Sequence, residues 1–304
     1  MKLRIGSRGS QLALWQAHHI AGLLRGQGHE VEIEIIRTTG DRLQEVTFAQ
    51  VGSKGMFTLE IEEALSEGRI DLAVHSLKDL PTELPEQFVL AATPPRVDPR
   101  DVVVSKDYGS FAALPAGALV GTSSLRRRAQ LRNLRPDLEY VEFRGNVDTR
   151  LRKLGEGQVA AIMLAAAGLD RLEKTEWVRE RLDPEVVCPS AGQGSLGIET
   201  RKDDAKTLAA VAFLDDADTR FAVTAERVAL AALGGGCQVP IGVHCRRVPC
   251  GVEFEALGVV AAPEGDRIVR ARATGTDPVA LGQAVADSLL SQGAAELFEG
   301  IGKP

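Results

Sequence analysis

Hydrophobic and polar positions vary along the chain in a pattern that predicts strands and helices in turn. Residues 31–37 alternate apolar and charged side chains with a period of two, which is typical of a half-buried strand. Residues 2–6 and 70–74 are short apolar runs that predict strands, and a helix is predicted to follow Ser10 and to run to about residue 26. Strands followed by helices predict a mainly parallel sheet with helices on its faces.

Two interruptions divide this pattern. Residues 93–100 contain three prolines, which predicts an extended connection between domains, and residues 188–194 form a second break. The β/α pattern restarts between the two breaks, and a strand after residue 195 is predicted to return to the first sheet. From residue 241 the pattern changes to β-rich segments followed by helices. We therefore expect two α/β domains and a smaller C-terminal α+β domain.

Composition and charge narrow the class of protein. The chain has 304 residues, of which 44% are hydrophobic and 26% charged, and its formal net charge is −6. This composition is that of a folded protein, and the negative charge disfavours a nucleic-acid partner. No apolar run approaches the ~18–20 residues that cross a membrane, and the first residues do not resemble a signal peptide. We expect a cytoplasmic protein with no membrane or nucleic-acid partner.

Arginine is concentrated in one part of the chain. Of the 36 basic residues 27 are arginine, and eight of these lie within residues 122–152, against four acidic residues and no lysine. The guanidinium group matches carboxylate or phosphate through two hydrogen bonds at once. An arginine-rich genome would explain the excess along the whole chain, but it explains this cluster less well.

Two segments of this arginine-rich region are suited to binding anions. Residues 122–124 (Thr-Ser-Ser) follow a predicted strand and open a helix that carries Arg126, Arg127 and Arg128. Residues 144–150 repeat the arrangement one β/α unit later. Either segment alone is also explained by an ordinary helix cap with solvated arginines, and which of the three arginines face a ligand stays open. Consecutive units direct such loops to the same edge of a sheet, so the two together favour an anion site.

Asp79 is the last residue of the segment 75–79, which lies at the carboxyl end of the mostly apolar predicted strand 70–74. Two interpretations carry equal weight. Asp79 is either a helix cap or a partner of Lys78, or it is a single negative group that faces the arginines and stabilises a cation or transfers a proton.

Cys237 follows three glycines in a predicted loop. A thiol in an exposed loop is positioned to react, whereas structural cysteines are usually buried in apolar elements. A metal site built from Cys237, His244, Cys245 and Cys250 lacks the paired C-x₂-C spacing of structural zinc sites, so we expect no metal. The four cysteines, which include Cys188, are too few and too unevenly placed for a disulfide framework.

Seven motifs, in order along the chain, resemble those of the porphobilinogen deaminases, also called hydroxymethylbilane synthases. They are GSRGSQLALWQA (6–17), GSKGMF (52–57), AVHSLKDLP (73–81), VGTSSLRR (120–127), RGNVDTR (144–150), AGQG (191–194) and GGGCQVPIG (234–242). The resemblance is loose beyond residue 242. Gln11 stands where we expect proline, and Ser190 replaces a more apolar residue; neither departure changes a charged group.

The resemblance implies a transferase that joins four porphobilinogen molecules head to tail, releases ammonia at each step and frees hydroxymethylbilane, a precursor of porphyrins. It implies a covalent dipyrromethane cofactor, held by a thioether to Cys237, and Asp79 as the catalytic residue. We also expect a monomer. The positions that resemble those holding substrate and cofactor carboxylates are Arg8, Ser10, Arg126, Arg127, Arg144 and Arg150, assisted by Lys54, Ser76, Lys78, Thr122, Ser123 and Ser124. Phe57 would stack near the substrate pyrrole, and Gln193 would lie at an interdomain hinge.

The expected fold class is α/β, with two periplasmic-binding-protein-like α/β domains joined by hinges and a smaller C-terminal α+β domain. We expect domain 1 over residues 1–95 with 195–215, domain 2 over residues 100–190 and domain 3 over residues 218–304. Two other classes of protein fit the α/β pattern. A solute receptor would clamp an anionic ligand between lobes without needing Cys237 or Asp79, and an anion- or nucleotide-binding regulatory protein would release no ammonia.

Overall fold

A computed structural model describes residues 1–38, 58–235 and 239–298 of the chain. Three of the predicted site residues, Lys54, Phe57 and Cys237, lie outside the described residues. The chain divides into two compact units. Their residues are Met1–Val97 with Ser195–Arg220 for unit 1, and Asp98–Gly194 with Phe221–Pro304 for unit 2. The boundaries of three separate domains stay a prediction.

Strands and helices alternate through most of the described chain, as the sequence pattern predicts. Up to residue 97 the elements are β1 (Lys2–Ser7), α1 (Gln11–Gly26), β2 (Glu30–Ile35), α2 (Leu59–Ser66), β3 (Leu72–Ser76) and β4 (Phe88–Ala92). From residue 98 to residue 194 they are β5 (Asp101–Val104), β6 (Leu119–Gly121), α3 (Leu125–Leu134), β7 (Glu139–Val141), α4 (Val147–Gly155), β8 (Ala161–Ala165), α5 (Ala166–Arg171) and β9 (Val178–Arg181). The remaining elements are β10 (Leu196–Arg201), α6 (Ala205–Val211), α7 (Ala217–Ala232), β11 (Ile241–Arg247), β12 (Phe254–Ala261), β13 (Ile268–Gly275) and α8 (Pro278–Ser291).

Each unit contains a five-stranded sheet of the same topology. The strand order is β2-β1-β3-β10-β4 in unit 1 and β7-β6-β8-β5-β9 in unit 2. In both sheets the first three strands pair in parallel, and the fourth strand runs antiparallel to its two neighbours. A third sheet, β11-β12-β13, is antiparallel and belongs to unit 2. The predicted α/β class with a smaller C-terminal α+β part is confirmed, as is the return of β10 to the first sheet.

The side chains of β3 alternate between the two faces of the sheet of unit 1. Leu72 and Val74 pack in the hydrophobic cluster that contains α1, whereas Ala73 packs in the cluster that contains α2. Because successive side chains of a strand point to opposite faces, His75 lies on the α2 face and Ser76 on the α1 face. The last residues of β3 therefore reach partners on both sides of the sheet.

No helix of the described ranges has both the length and the apolar surface that a membrane span requires.

Candidate active site

A pocket of unit 1 lies where β1 and β3 end. The two strands are parallel neighbours, so the loops that follow them leave the sheet at the same edge. The pocket has a volume of about 80 Å³, and Asp79 lies in its wall. The other polar residues of the wall are Arg8, Ser10, Gln16, Thr58, His75 and Ser76. The predicted catalytic residue thus shares this pocket, the Asp79 pocket, with three of the predicted binding residues.

Asp79 is the last residue of a short 3-10 helix, Leu77–Asp79, that directly follows β3. The backbone N–H of Leu77 donates to the carbonyl of Ser195 (3.0 Å), and that of Leu80 donates to the carbonyl of Leu77 (3.1 Å). The Asp79 residue itself is exposed. An N-cap precedes the helix that it caps, so a residue at the end of this turn does not fit the capping role that the sequence left open.

Arg8 and Ser10 lie in the loop between β1 and α1. The Ser10 hydroxyl accepts a hydrogen bond from the N–H of Ala13 (3.3 Å), which makes Ser10 the N-cap of α1, as predicted. The start of a helix carries a partial positive charge that favours anions, and the half-buried guanidinium of Arg8 adds a full one. This side of the Asp79 pocket therefore suits a carboxylate.

Two side-chain contacts hold the end of β3 at the wall of the pocket. Gln16 Nε2 donates to Ser76 Oγ over 2.8 Å, from the α1 face. On the α2 face, His75 Nε2 lies 2.9 Å from Glu199 Oε2, and these two side chains are only 6% and 0% exposed. The strand end that leads into Asp79 is thus fixed on both faces of the sheet.

Glu62 of α2 interacts electrostatically with the pair formed by His75 and Glu199. Burial raises the pKa of Glu62, the nearby Thr58 hydroxyl opposes this rise, and the charge of Glu199 adds to it. Two carboxyl groups and one imidazole therefore lie close enough to interact electrostatically beside the Asp79 pocket.

The predicted anion site of unit 2 lies at the carboxyl edge of the second sheet. β6 and β7 are parallel neighbours, so residues 122–124 and the segment after β7 leave the sheet at the same edge, as predicted. The two segments touch: Thr122 N–H donates to the carbonyl of Val141 (2.9 Å), and the Ser123 hydroxyl accepts from the N–H of Phe143 (3.1 Å).

Both segments continue into a helix that begins with a side-chain cap. The Ser124 hydroxyl accepts from the N–H of Arg127 (3.4 Å), and Asn146 Oδ1 accepts from the N–H of Thr149 (2.9 Å). Gly145 has a φ of +119°, and a Cβ there would lie 2.7 Å from Thr149 Cγ2, so only glycine fits before α4. The first turn of α3 contains no acidic residue, which leaves this helix start favourable for an anion.

Arg126 and Arg127 lie in a buried ion-pair cluster with Asp101. Arg126 Nη1 donates to Asp101 Oδ2 (2.6 Å) and to the carbonyl of Cys188 (2.6 Å). Arg127 Nε and Gln193 Nε2 both donate to Asp101 Oδ1, over 2.9 and 2.8 Å. Two guanidinium groups share one carboxylate, so the cluster keeps a positive charge below the start of α3.

Burial alone would raise the pKa of Asp101, but the charges of Arg126 and Arg127 outweigh it and hold this pKa well below its ordinary range. Burial lowers the pKa of Arg127. These contacts give both arginines a structural role that the sequence did not reveal. Their predicted contact with substrate or cofactor stays a prediction.

Replacing Asp101 with asparagine is expected to lower the free energy of unfolding by about 3–5 kcal/mol, because two buried guanidinium groups lose their carboxylate. Urea denaturation measures the loss. The control is Asp137→Asn, which removes the exposed partner of Arg135 and should change stability little. Equal effects of the two substitutions would contradict a structural role of the cluster.

Arg144 and Arg150 flank the start of α4. Arg144 Nε donates to Glu142 Oε1 over 2.6 Å, and the half-buried Arg150 lies in the first turns of the helix. Lys153 Nζ lies 5.7 Å from the centre of the Phe143 ring, a cation–π distance, and adds positive charge that the sequence analysis did not single out.

The cysteines of the described residues have unlike surroundings. Cys188 and Cys245 are buried, and Cys250 is exposed. Burial raises the pKa of the Cys188 thiol, which makes it a poor nucleophile. The predicted attachment residue Cys237 lies outside the described residues.

Sequence reasoning missed four polar residues that support the two sites: Gln16, Thr58, Asp101 and Glu199. Gln16 interrupts the apolar face of α1, and Asp101 is an acid directly before three valines. A polar residue in an otherwise apolar, buried position is a usable signal in both cases. Thr58 and Glu199 carry no comparable signal.

Comparisons with known protein families identify the family of this chain. Residues 3–209 match the family described as "Porphobilinogen deaminase, dipyromethane cofactor binding domain". Residues 220–291 match the one described as "Porphobilinogen deaminase, C-terminal domain". The chain belongs to the porphobilinogen deaminase family.

Similar proteins agree with this membership over almost the whole chain. The porphobilinogen deaminase of Roseiflexus sp. (strain RS-1) is 51% identical over 302 residues, which cover 98% of this chain and 99% of that protein. The porphobilinogen deaminase of Brevibacillus brevis is 49% identical over 299 residues, which cover 98% of this chain and 96% of that protein.

Among solved structures, the methionine-binding protein MetQ is similar with a TM-score of 0.47 and 16% identity, covering 72% of this chain and 91% of that one.

Porphobilinogen deaminases polymerise porphobilinogen into hydroxymethylbilane in tetrapyrrole biosynthesis, and this chain is such a transferase with a dipyrromethane cofactor. Because the chain belongs to this enzyme family, it is neither the solute receptor nor the regulatory protein that the α/β pattern also allowed. The described residues fit the cofactor, because its acetate and propionate groups require cationic and hydroxyl donors. The edge of the second sheet provides Ser123, Ser124, Arg144 and Arg150 together with two helix starts.

Proposed function

We propose that Asp79 is the catalytic residue of this porphobilinogen deaminase and that the Asp79 pocket binds the porphobilinogen that reacts. The observation that carries the proposal is the position of Asp79 in one wall with Arg8 and Ser10. Porphobilinogen requires a carboxylate near its pyrrole and cationic or hydroxyl donors near its own carboxylates.

The Asp79 carboxylate has two tasks in this proposal. It accepts hydrogen bonds from the pyrrole N–H and stabilises the positive charge that develops on the pyrrole when the amine leaves as ammonia. After the carbon–carbon bond has formed, it accepts the proton that the ring carbon loses. Arg8, Ser10, Ser76 and Lys78 bind and orient the substrate carboxylates.

The basic edge of unit 2 binds the carboxylates of the cofactor and the growing chain. The donors are Thr122, Ser123, Ser124, Arg144 and Arg150, with Arg126, Arg127 and Gln193 of the buried cluster beneath them. The positive charge of this cluster and the two helix starts lower the energy of an anion at this edge.

The cofactor is attached through a thioether to Cys237, in the motif that resembles the attachment loop of the family. When bound, dipyrromethane supplies the pyrrole carbon at which the chain grows. Lys54 and Phe57 assist substrate binding, the lysine through charge and the phenylalanine through stacking on the pyrrole.

Replacing Arg150 with leucine is expected to lower kcat/KM for porphobilinogen by about 10–100-fold, because a desolvated carboxylate loses a charged hydrogen-bond partner. Steady-state release of ammonia measures kcat/KM, and the intact mass of the purified protein measures the fraction that carries cofactor.

The control is Arg152→Leu on the same helix. Arg152 is exposed and pairs with Glu156 four residues on, so its loss should leave kcat/KM within about threefold. Arg181 also lies outside the motifs, but it is less suitable as a control because it bridges Asp98 and Asp170. Equal losses for Arg150→Leu and Arg152→Leu would mean that the basic edge is only solvated surface.

We also propose that the enzyme is a cytoplasmic monomer. Two of its cysteines, Cys188 and Cys245, are free and buried, which suits a reducing compartment. The large exposed hydrophobic residues occur on separate elements, such as Leu23 on α1, Ile35 on β2 and Val279 on α8. Light scattering after size-exclusion chromatography tests the monomer.

A further inference from the structure

Glu199 and His75 form a deeply buried ionisable pair beside the Asp79 pocket. Glu199 lies on β10, and its side chain is not exposed at all. In the antiparallel pairing of β10 with β3, His75 lies opposite Gly197, so Glu199 reaches it diagonally on the same face. His75 also forms part of the pocket wall. The pair therefore connects a buried strand with the substrate pocket.

Fold stability does not explain this pair well. Glu199 Oε1 has no hydrogen-bond partner among the described residues, although the carboxyl group is fully buried. Burying a carboxyl group with one partner is costly, and apolar residues of similar volume often serve stability equally well or better. Glu62 is a second acidic group nearby, and the charge of Glu199 contributes to its raised pKa. A buried polar group of this kind calls for a reason other than packing.

The location of the pair gives that reason. Three consecutive residues before Asp79 are each held by a different partner. His75 is held by Glu199, Ser76 by Gln16, and Leu77 by the backbone of Ser195. Glu199 lies on β10 and Ser195 directly precedes it, so this strand and the residue before it hold the turn at two points.

We propose that Glu199 is a positioning residue that acts through a hydrogen bond to His75 and fixes the turn on which the Asp79 carboxylate lies. The proposal rests on the proposed catalytic role of Asp79. A displacement of about 1 Å of a reacting group can cost on the order of 100-fold in rate, so a contact four residues from Asp79 is close enough to affect turnover. Glu199 touches no substrate. It limits the positions that the Asp79 carboxylate can take.

The test compares three substitutions of Glu199 in the cofactor-loaded enzyme. Glu199→Met removes the hydrogen bond to His75, and Glu199→Asp keeps the carboxyl group but shortens the side chain by one methylene. Both are expected to lower kcat by about 10–100-fold with KM unchanged within about threefold. Glu199→Gln still offers an oxygen to His75 and is expected to keep kcat within about threefold.

The matched control is Thr200→Val, the next residue of β10. Thr200 is also fully buried, and its hydroxyl has no partner among the described residues, so the isosteric valine should leave kcat unchanged. All assays are run well below the melting temperature of each variant, and kcat is calculated per molecule that carries cofactor by intact mass. A purely structural role would not change kcat under these conditions.

A kcat within threefold of wild type for Glu199→Met overturns the proposal, whatever its melting temperature. If Glu199→Met does not fold, the kcat of Glu199→Asp is compared with wild type by the same threefold threshold. Equal losses for Glu199→Gln and Glu199→Met also overturn it, because the hydrogen bond would then not be what matters. If Asp79→Asn itself stays active, the catalytic role of Asp79 fails instead, so the two failures are distinguishable.

Discussion

Asp79→Asn is expected to lower kcat by about 10²–10⁴-fold while the protein folds normally and keeps its bound pyrrole chain. Asparagine has the shape and the hydrogen-bonding reach of aspartate but carries no charge. The variant therefore cannot stabilise the cation that forms when ammonia leaves, and it cannot accept the ring proton afterwards. Single-turnover release of ammonia measures the chemical step, and intact mass measures the bound pyrrole chain.

Two further variants sharpen this result. Asp79→Glu keeps the charge but moves it by one methylene, so slow, detectable activity is expected. Asp203→Asn removes an exposed carboxylate elsewhere in unit 1 and should have no effect. If Asp79→Asn turned over at a near-normal rate while its melting temperature fell, Asp79 would be a structural residue and the catalytic acid would lie elsewhere.

The helices α1 and α8 could be predicted closely because several local signals agree. Ser10 and Asp277 accept hydrogen bonds from the N–H three residues on, and each cap precedes a stretch with a regular apolar face. Caps and periodicity are local, so the sequence alone contains them.

Strands β5 and β9 show what local signals do not reveal. β5 is only four residues long and follows a proline-rich connection, and β9 consists of Val178, Arg179, Glu180 and Arg181 at the edge of its sheet. A strand of four residues is too short to show a clear period, and the charged edge strand β9 lacks an apolar alternation. What places both strands in the sheet is their pairing with partners that are distant in sequence. β9 pairs with β5 across more than 70 residues.

The candidate site also contains residues that the sequence predicts and features that it does not. Asp79, Arg8 and Ser10 could be named because each lies in a motif, and their shared pocket follows from the parallel pairing of β1 and β3. The burial of Arg126 and Arg127 could not be foreseen. The burial of the two arginines depends on Asp101, which lies beside them because β5 pairs with β8 and β9 in the sheet.

Cys237→Ser is expected to abolish nearly all turnover, and the purified variant should have the mass of the bare polypeptide. The unsubstituted protein should be heavier than its sequence by a covalent dipyrromethane. Sulfur captures an electrophilic methylene carbon far better than a serine hydroxyl, because the thiolate is accessible near neutral pH and is intrinsically nucleophilic. Without the thioether the growing chain has no fixed end, so the proposed carboxylate-binding residues of unit 2 would have no anchored chain to hold.

The control for this substitution is Cys250→Ser. Cys250 is exposed, so replacing it disturbs no packing, whereas the buried Cys188 and Cys245 are less suitable because serine would place an additional hydroxyl in an apolar core. Cys250→Ser should keep both the additional mass and full turnover. If the active, unsubstituted protein had only the mass of its polypeptide, the cofactor would not be covalent. If Cys237→Ser kept the additional mass, the attachment would lie at another residue.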